Sequence, residues 1–243
     1  MWAVFIKEIN VFFTSLTGFV VIGVFLIVLG LIMWVFPEYS ILNYNYATLE
    51  QLFTIAPMVF LFLIPAICMR SFSEERQTGT LEILFTKPLS TWDIILGKYF
   101  GAIFLVILSL LPTILYYFTL YQLGSPVGNI DGGEVVGSYI GLVLLSAIFV
   151  AIAIFSSVLS RNQIVAFLLA ALLCFTIFWG FSFISTIPVF VGSLDEIIQK
   201  FGIDYHYRAI SQGVVDTRDL LYFTSAICIF LFLTHYLLKL QRK

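Results

Sequence analysis

The chain reads as an all-α, polytopic membrane protein with six transmembrane helices, on three observations. Of its 243 residues 61% are hydrophobic and only 11% charged, with a mean hydropathy of +1.06, against about 45–50% apolar and about 25% charged in soluble domains. Six apolar runs approach the length of about 20 residues that crosses a hydrocarbon core about 30 Å thick. None of the six contains Lys, Arg, Asp or Glu: residues Gly18–Phe36, Leu52–Met69, Tyr99–Tyr121, Val136–Ser160, Ile164–Ile187 and Leu220–Leu238. One membrane domain over residues 1–243 follows.

The first residues precede these runs. Trp2, Phe5, Ile9, Phe12 and Phe13 recur at near-helical spacing while Lys7, Glu8 and Asn10 fall elsewhere, which predicts an amphipathic helix lying in the membrane interface and leading at an elbow into span one. No A-x-A-like cleavage site follows, so a retained span is expected and not a signal peptide.

Between spans two and three lies the hydrophilic stretch from Arg70 to Lys98, with four of the twelve Lys and Arg residues. It is too short to enclose a core. Glu74, Glu75, Arg76 and Gln77 form a charged start, Gly79 allows a turn, and Leu81, Leu84 and Phe85 share one face of a short helix with Glu82 on another. Pro88 ends that helix. Ser90 with Asp93 in the capping-box position starts the next, which runs through Gly97 and Lys98 into span three. Two readings of the apolar face stand side by side: insertion into the groove of a soluble partner, or Leu81 and Phe85 resting on the lipid surface.

Prolines Pro57, Pro65 and Pro112 fall inside spans, where neighbouring helices re-satisfy the freed carbonyls. Tyr39, Tyr44, Tyr46, Tyr116, Tyr117 and Tyr121 cluster at one boundary, as an aromatic belt does. Before the last span, Ser193 and Glu196 fit a capping box, Leu194, Ile197, Ile198 and Phe201 make a stripe, and Gly202 fits C′. A short helix against the outer face is expected there. Asp216 and Asp219 fit the N-cap and N3 positions of span six.

Orientation follows from the excess of Lys and Arg in short cytoplasmic loops. With the amino terminus inside, Lys7, Arg70, Arg76, Lys87, Lys98, Arg161, Lys239, Arg242 and Lys243 are cytoplasmic, nine of twelve, whereas the short outer loops carry Glu38, Glu50, Asp131 and Glu134 and no base. Both termini are therefore expected in the cytoplasm.

Catalytic signatures are missing. Gly97-Lys98 lacks the remainder of a phosphate-binding loop, and His206 and His235 are too far apart in sequence to argue a metal site. No catalytic residue and no metal ligand is assigned. His235 is the one ionisable residue in a span, expected neutral and hydrogen-bonded, though such a group is also where an ion-coupled carrier would be sought. Cys68, Cys174 and Cys228 have no CxxC spacing and read as lipid- or bundle-facing. No basic patch for nucleic acid exists.

The stretch EERQTGTLEILFTKPLSTWDIILGKYF resembles the signature E-E-R-x-x-G-T-L-E-x-L-L-x-x-P of ABC-2 type permease subunits, followed by their G-K ahead of span three. The match takes in Glu74, Glu75, Arg76, Gly79, Thr80, Leu81, Glu82, Leu84, Pro88, Gly97 and Lys98, with Phe85 beside Leu84. FIKEINVFFTSLTGF is similar to the family's amino-terminal motif, with Leu16 where proline is common, and YRAISQGVVDTRDLLYF to the outer motif of gliding-motility permeases through Gly213, Asp216, Arg218, Asp219 and Tyr222.

The resemblance implies that residues 74–88 form a cytoplasmic coupling helix region contacting a separate ATPase subunit dimer that binds the ATP and magnesium, this chain holding no cofactor. It also implies a second permease copy or a related permease, an auxiliary envelope subunit, surrounding membrane lipid, and a place in the bacterial inner membrane for export or gliding motility. A secondary transporter or channel is the competing class, and an intramembrane enzyme a third. The resemblance names no substrate and no role for Asp216, Arg218 or Asp219.

Overall fold

A computed structural model describes the chain except residues 38–39, 42–47, 189, 191, 193, 215 and 242–243 and the side chain of Thr17. Glu38, Tyr39, Tyr44, Tyr46, Ser193, Arg242 and Lys243, which the sequence reading used, lie outside the described residues. The described chain is helical throughout, with no strand.

Helix α1 covers Trp2–Thr14 and α2 Leu16–Trp34. They meet at an angle of 72°. Ser15, extended between them, caps α2 by accepting from the Gly18 amide, and a Cβ at Gly18 would stand 2.3 Å from the Phe12 carbonyl oxygen. The elbow is therefore built from Ser15 and Gly18, with no proline needed at position 16.

Helices α3 (Glu50–Cys68) and α4 (Arg70–Gln77) continue one another through Met69 as a run of 28 residues. The helix thus goes on for two more turns past Arg70, as far as the turn at Gly79. Helix α5 covers Thr80–Thr86, and α6 (Thr91–Leu110) starts with the expected Ser90–Asp93 capping box and passes through a 3₁₀ turn at Pro112 into α7 (Ile114–Leu123). Helix α8 (Gly132–Leu159) follows, then α9 (Gln163–Phe175), which runs through a π-turn at Thr176–Gly180 into α10 (Phe181–Ser185). Short helices α11 (Asp195–Gln199) and α12 (Ile203–Ser211) precede the last helix, α13 (Thr217–Gln241).

Among the described residues five helices are long and apolar enough to cross a membrane, and six when the bent α1–α2 pair counts as one. Helix α8 is the central post. Every residue from Leu145 to Ile154 is buried, because α3, α6, α9, α12 and α13 pack around it. The outer helices keep apolar side chains such as Phe62, Phe104, Leu168, Leu221 and Phe232 exposed, the surface expected against lipid. Cys68 and Cys174 are buried in the bundle and Cys228 is exposed.

Pro57 shows how the bundle repairs a broken helix ladder. Proline has no N–H to give the carbonyl four residues earlier, which is that of Phe53. The Tyr207 hydroxyl, from α12, donates to the Phe53 carbonyl at 2.6 Å. Helix α12 reaches that depth because α8 presents glycines: a Cβ at Gly137 would stand 2.9 Å from Gly213 Cα, and one at Gly141 3.1 Å from Ile210 Cγ2.

The region before span six holds the expected short helix, corrects one expectation and adds an element. Gly202 has φ −82° and ψ 140° and is the N-cap of α12 rather than a left-handed C′ residue of α11. Helix α12, which the sequence reading did not resolve, is the element that enters the bundle, while Leu194, Ile197 and Phe201 stay exposed.

Candidate functional site

The charged end of the bundle holds the residues expected to matter. Lys98, on α6, is 1% exposed. An ammonium has three N–H donors, and here each has a partner: Glu8 Oε1 on α1 at 2.8 Å, Glu75 Oε1 on α4 at 3.1 Å and the Ser71 carbonyl at 2.5 Å. The Phe72 ring lies beneath it, 4.8 Å to the centroid. Lys7 adds a second cation to Glu75 at 2.7 Å. Two carboxylates and two ammonium groups thus join α1, α4 and α6, and desolvation of each is offset by opposite charge and hydrogen bonds.

Close helix approach makes this possible. A Cβ at Gly97 would stand 2.7 Å from Val4 Cβ and 2.9 Å from the Met1 carbonyl oxygen, and one at Gly101 3.1 Å from Glu8 Cβ. The small residues at i and i+4 let α1 lie against α6. Glu8, assigned to the polar face of α1 from sequence, turns inward beside Val4.

Helix α4 is also tied to α8 from both sides. The Ser157 hydroxyl accepts from the Phe72 and Ser73 amides at 2.9 and 3.1 Å, and the Arg76 guanidinium donates to the Val158 carbonyl. Each helix end has backbone groups without an intrahelical partner, and each helix here supplies a side chain to the other's end.

Beyond α4, Gly79 adopts φ +71°, a left-handed conformation favouring glycine. The Thr78 hydroxyl donates to the Glu74 carbonyl at 2.8 Å and contacts the Thr80 hydroxyl at 3.0 Å, and Thr80 reaches the Glu75 carbonyl at 3.4 Å. Helix α5 is thereby fixed to the end of α4. Leu81 is buried, and Leu84 and Phe85 are half-buried against the core. Glu82, Ile83, Thr86, Lys87 and Pro88 face outward, Ile83 being 59% exposed.

This divides the predicted coupling residues. Glu75 and Leu81 are buried, Glu74 and Arg76 half-buried, and Gly79, Thr80, Glu82 and Pro88 exposed. Leu81, Leu84 and Phe85, the apolar face for which a partner groove and the lipid surface were both open, pack against the chain's own core. Glu75 is buried as well, one of its carboxylate oxygens, Oε1, taking both Lys7 and Lys98.

At the opposite end a cavity of about 1160 Å³ opens between α9–α10 and α11–α13, lined by Trp179, Ser182, Asp204, Arg208 and Asp219 among others. Asp216 caps α13, its Oδ1 accepting from the Arg218 amide at 2.9 Å. That backbone hydrogen bond holds the Asp216 carboxyl below the usual aspartate range, assisted by the Thr217 hydroxyl and the Arg218 charge and opposed by slight desolvation. Asp219, at the third position of α13, places its Oδ1 2.6 Å from His206 Nδ1. His206 stacks on Tyr222 at 4.0 Å, and the Tyr222 hydroxyl donates to the Phe201 carbonyl at 2.7 Å. His235 also departs from expectation. Its ring stacks flat on Trp92 at 4.6 Å, and its buried Nδ1 has no hydrogen-bond partner among the described residues.

The fold and this end of it define a multi-pass helical membrane protein with a short, half-exposed helix between spans two and three. The sequence model described as ABC-2 family transporter protein matches residues 36–202. The chain belongs to that family and is an ABC transporter permease. Proteins of this family are membrane components that normally work with an ATPase partner. No curated protein matches the chain.

Proposed function

We propose that this permease couples ATP hydrolysis by a separate cytoplasmic ATPase dimer to movement of its spans, through the outward face of α5. The observation that carries this reading is the attachment of α5. Its exposed residues Glu82, Ile83, Thr86 and Lys87 form a contact surface, and its base is continuous through Gly79 and α4 with span two. Helix α4 is held to α1 and α6 by the Lys98 cluster and to α8 by Ser157 and Arg76. Force applied to α5 therefore reaches four other helices.

On this reading Gly79, Thr80, Glu82 and Pro88 shape the contact, while Glu74, Glu75, Arg76, Leu81, Leu84 and Phe85 transmit it. The ATPase binds the ATP and magnesium. The excess of Lys and Arg at this end supports a cytoplasmic location for it and for both termini, and hence an inner-membrane protein that pairs with a second permease.

Residues Gly213, Asp216, Arg218, Asp219 and Tyr222, through their likeness to the outer motif of gliding-motility permeases, favour envelope work in gliding with an auxiliary subunit.

The test is co-purification of the membrane-embedded chain with candidate P-loop ATPases. Glu82→Lys and Ile83→Asp should abolish capture and ATP-dependent activity while leaving the protein's thermal stability intact. Unchanged capture by both variants contradicts the proposal, and transport driven by an ion gradient without ATP supports an independent carrier.

A further inference from the structure

The charged end also holds a cavity whose contents the coupling reading does not address. It measures about 500 Å³ and opens beneath the α1–α2 elbow, between α1, α2, α3–α4 and α6. One wall is apolar, with Val20, Val21, Ile67 and Leu105. The other carries three cations, Lys7, Arg70 and Lys98, and three carboxylates, Glu8, Glu74 and Glu75. Charge in the lining therefore balances, which disfavours a ligand of net charge.

Glu75 sharpens the chemistry. It is 8% exposed, and its Oε1 takes both Lys7 and Lys98. Its other oxygen, Oε2, is buried with no hydrogen-bond partner among the described residues. A buried carboxylate oxygen left without a donor is costly, so the site calls for an N–H or O–H group from outside the chain. A cation that donates suits a carboxylate best.

We propose that this cavity holds a phospholipid with a primary-ammonium headgroup, of the phosphatidylethanolamine class, drawn from the leaflet at this end. The ammonium would donate to Glu75 Oε2, the adjoining phosphate would lie toward Lys7 and Arg70, and an acyl chain would run along Val20, Val21 and Leu105. A trimethylammonium headgroup has no N–H to offer Glu75. An anionic headgroup offers at most a neutral hydroxyl donor to Glu75 and adds net negative charge to a lining whose three cations and three carboxylates already balance. The lipid would brace the elbow against α3 and α6 through the free oxygen of Glu75, leaving the Lys98 ion pairs in place.

The experiment uses the full chain in bilayer nanodiscs of phosphatidylcholine alone or mixed with phosphatidylethanolamine or phosphatidylglycerol, with retained lipid read by native mass spectrometry. Phosphatidylethanolamine should be enriched about tenfold over phosphatidylcholine, the size expected of one hydrogen bond to a charged group. Glu75→Gln, which puts an amide where the acceptor stood, should remove the preference. Val20→Trp fills the apolar wall from an exposed position and should remove retention with the ion cluster intact, so it decides the matter if Glu75→Gln fails to fold. Equal retention of all three lipids, as expected if water alone satisfies Glu75, overturns the proposal, as does a preference for phosphatidylglycerol. Displacement of the lipid by free phosphoethanolamine at equal concentration shows a soluble headgroup ligand and overturns the lipid.

Discussion

Lys98 Nζ lies 2.8 Å from Glu8 Oε1, a pair separated by 90 positions in sequence and sealed where α1 crosses α6. With Glu75 and Lys7 it makes a four-charge knot that fixes the amino-terminal helix α1 to α4 and α6.

Removing one member should cost much more than removing a balanced pair. Lys98→Met leaves Glu8 without its ammonium partner and should destabilise the protein by about 3–5 kcal/mol, seen as a lower thermal midpoint in detergent. The double variant Lys98→Met/Glu8→Gln should recover part of that loss, since Glu75 keeps Lys7. Additive losses would show that the cluster is not coupled.

Glycine positions should rank by the space around them. Gly97→Ala places a methyl 2.7 Å from Val4 Cβ and against a carbonyl, Gly101→Ala places one 3.1 Å from the Glu8 side chain, and Gly23→Ala meets nothing within 4 Å. The expected order of thermal midpoint is Gly23→Ala highest, then Gly101→Ala, then Gly97→Ala. The last should lose about 1–3 kcal/mol by overpacking.

Tyr207→Phe should cost about 1–3 kcal/mol, because the Phe53 carbonyl, which Pro57 cannot serve, loses the Tyr207 hydroxyl as donor. In a Pro57→Ala background position 57 regains an N–H for that carbonyl, and the cost of Tyr207→Phe should shrink toward zero. An unchanged cost would separate Tyr207 from the proline.

Acid should loosen the start of α13. The Asp216 carboxyl is held below its ordinary value, so its share of stability is present above about pH 4, the unfolded value, and is lost as pH falls through the folded value. Asp216→Asn keeps an N-cap acceptor but no longer titrates. Its thermal midpoint should vary less than that of the unaltered protein below about pH 4, measured by following melting across that range.

The spans and the break between them were legible because length, hydropathy, Gly79 and Pro88 are local signals. What holds residues 70–77 in place was not, since the segment is polar and its helix is tied to α8 through Ser157 and Arg76. Glu8 and Lys7 are adjacent polar residues about 100° apart on a helix, and only Lys98, 90 positions away, decides which turns inward. Helix α12 hid for a related reason. Ile203, Tyr207 and Ile210 mark one face, but Asp204, His206 and Arg208 between them lower the apolar signal, and the partners Asp219, Ser182 and Phe53 come from other helices. The inward turn of Leu81, Leu84 and Phe85 likewise depends on a core that the local pattern does not show.

The most direct test of coupling through α5 is site-specific crosslinking from position 83 in the native membrane. A photoreactive residue replacing Ile83 should capture the ATPase subunit, with a yield that changes between nucleotide-free and ATP-bound conditions, whereas the same residue at Phe232, exposed on α13, should capture none. Capture of lipid alone from position 83, unaffected by nucleotide, would contradict the account.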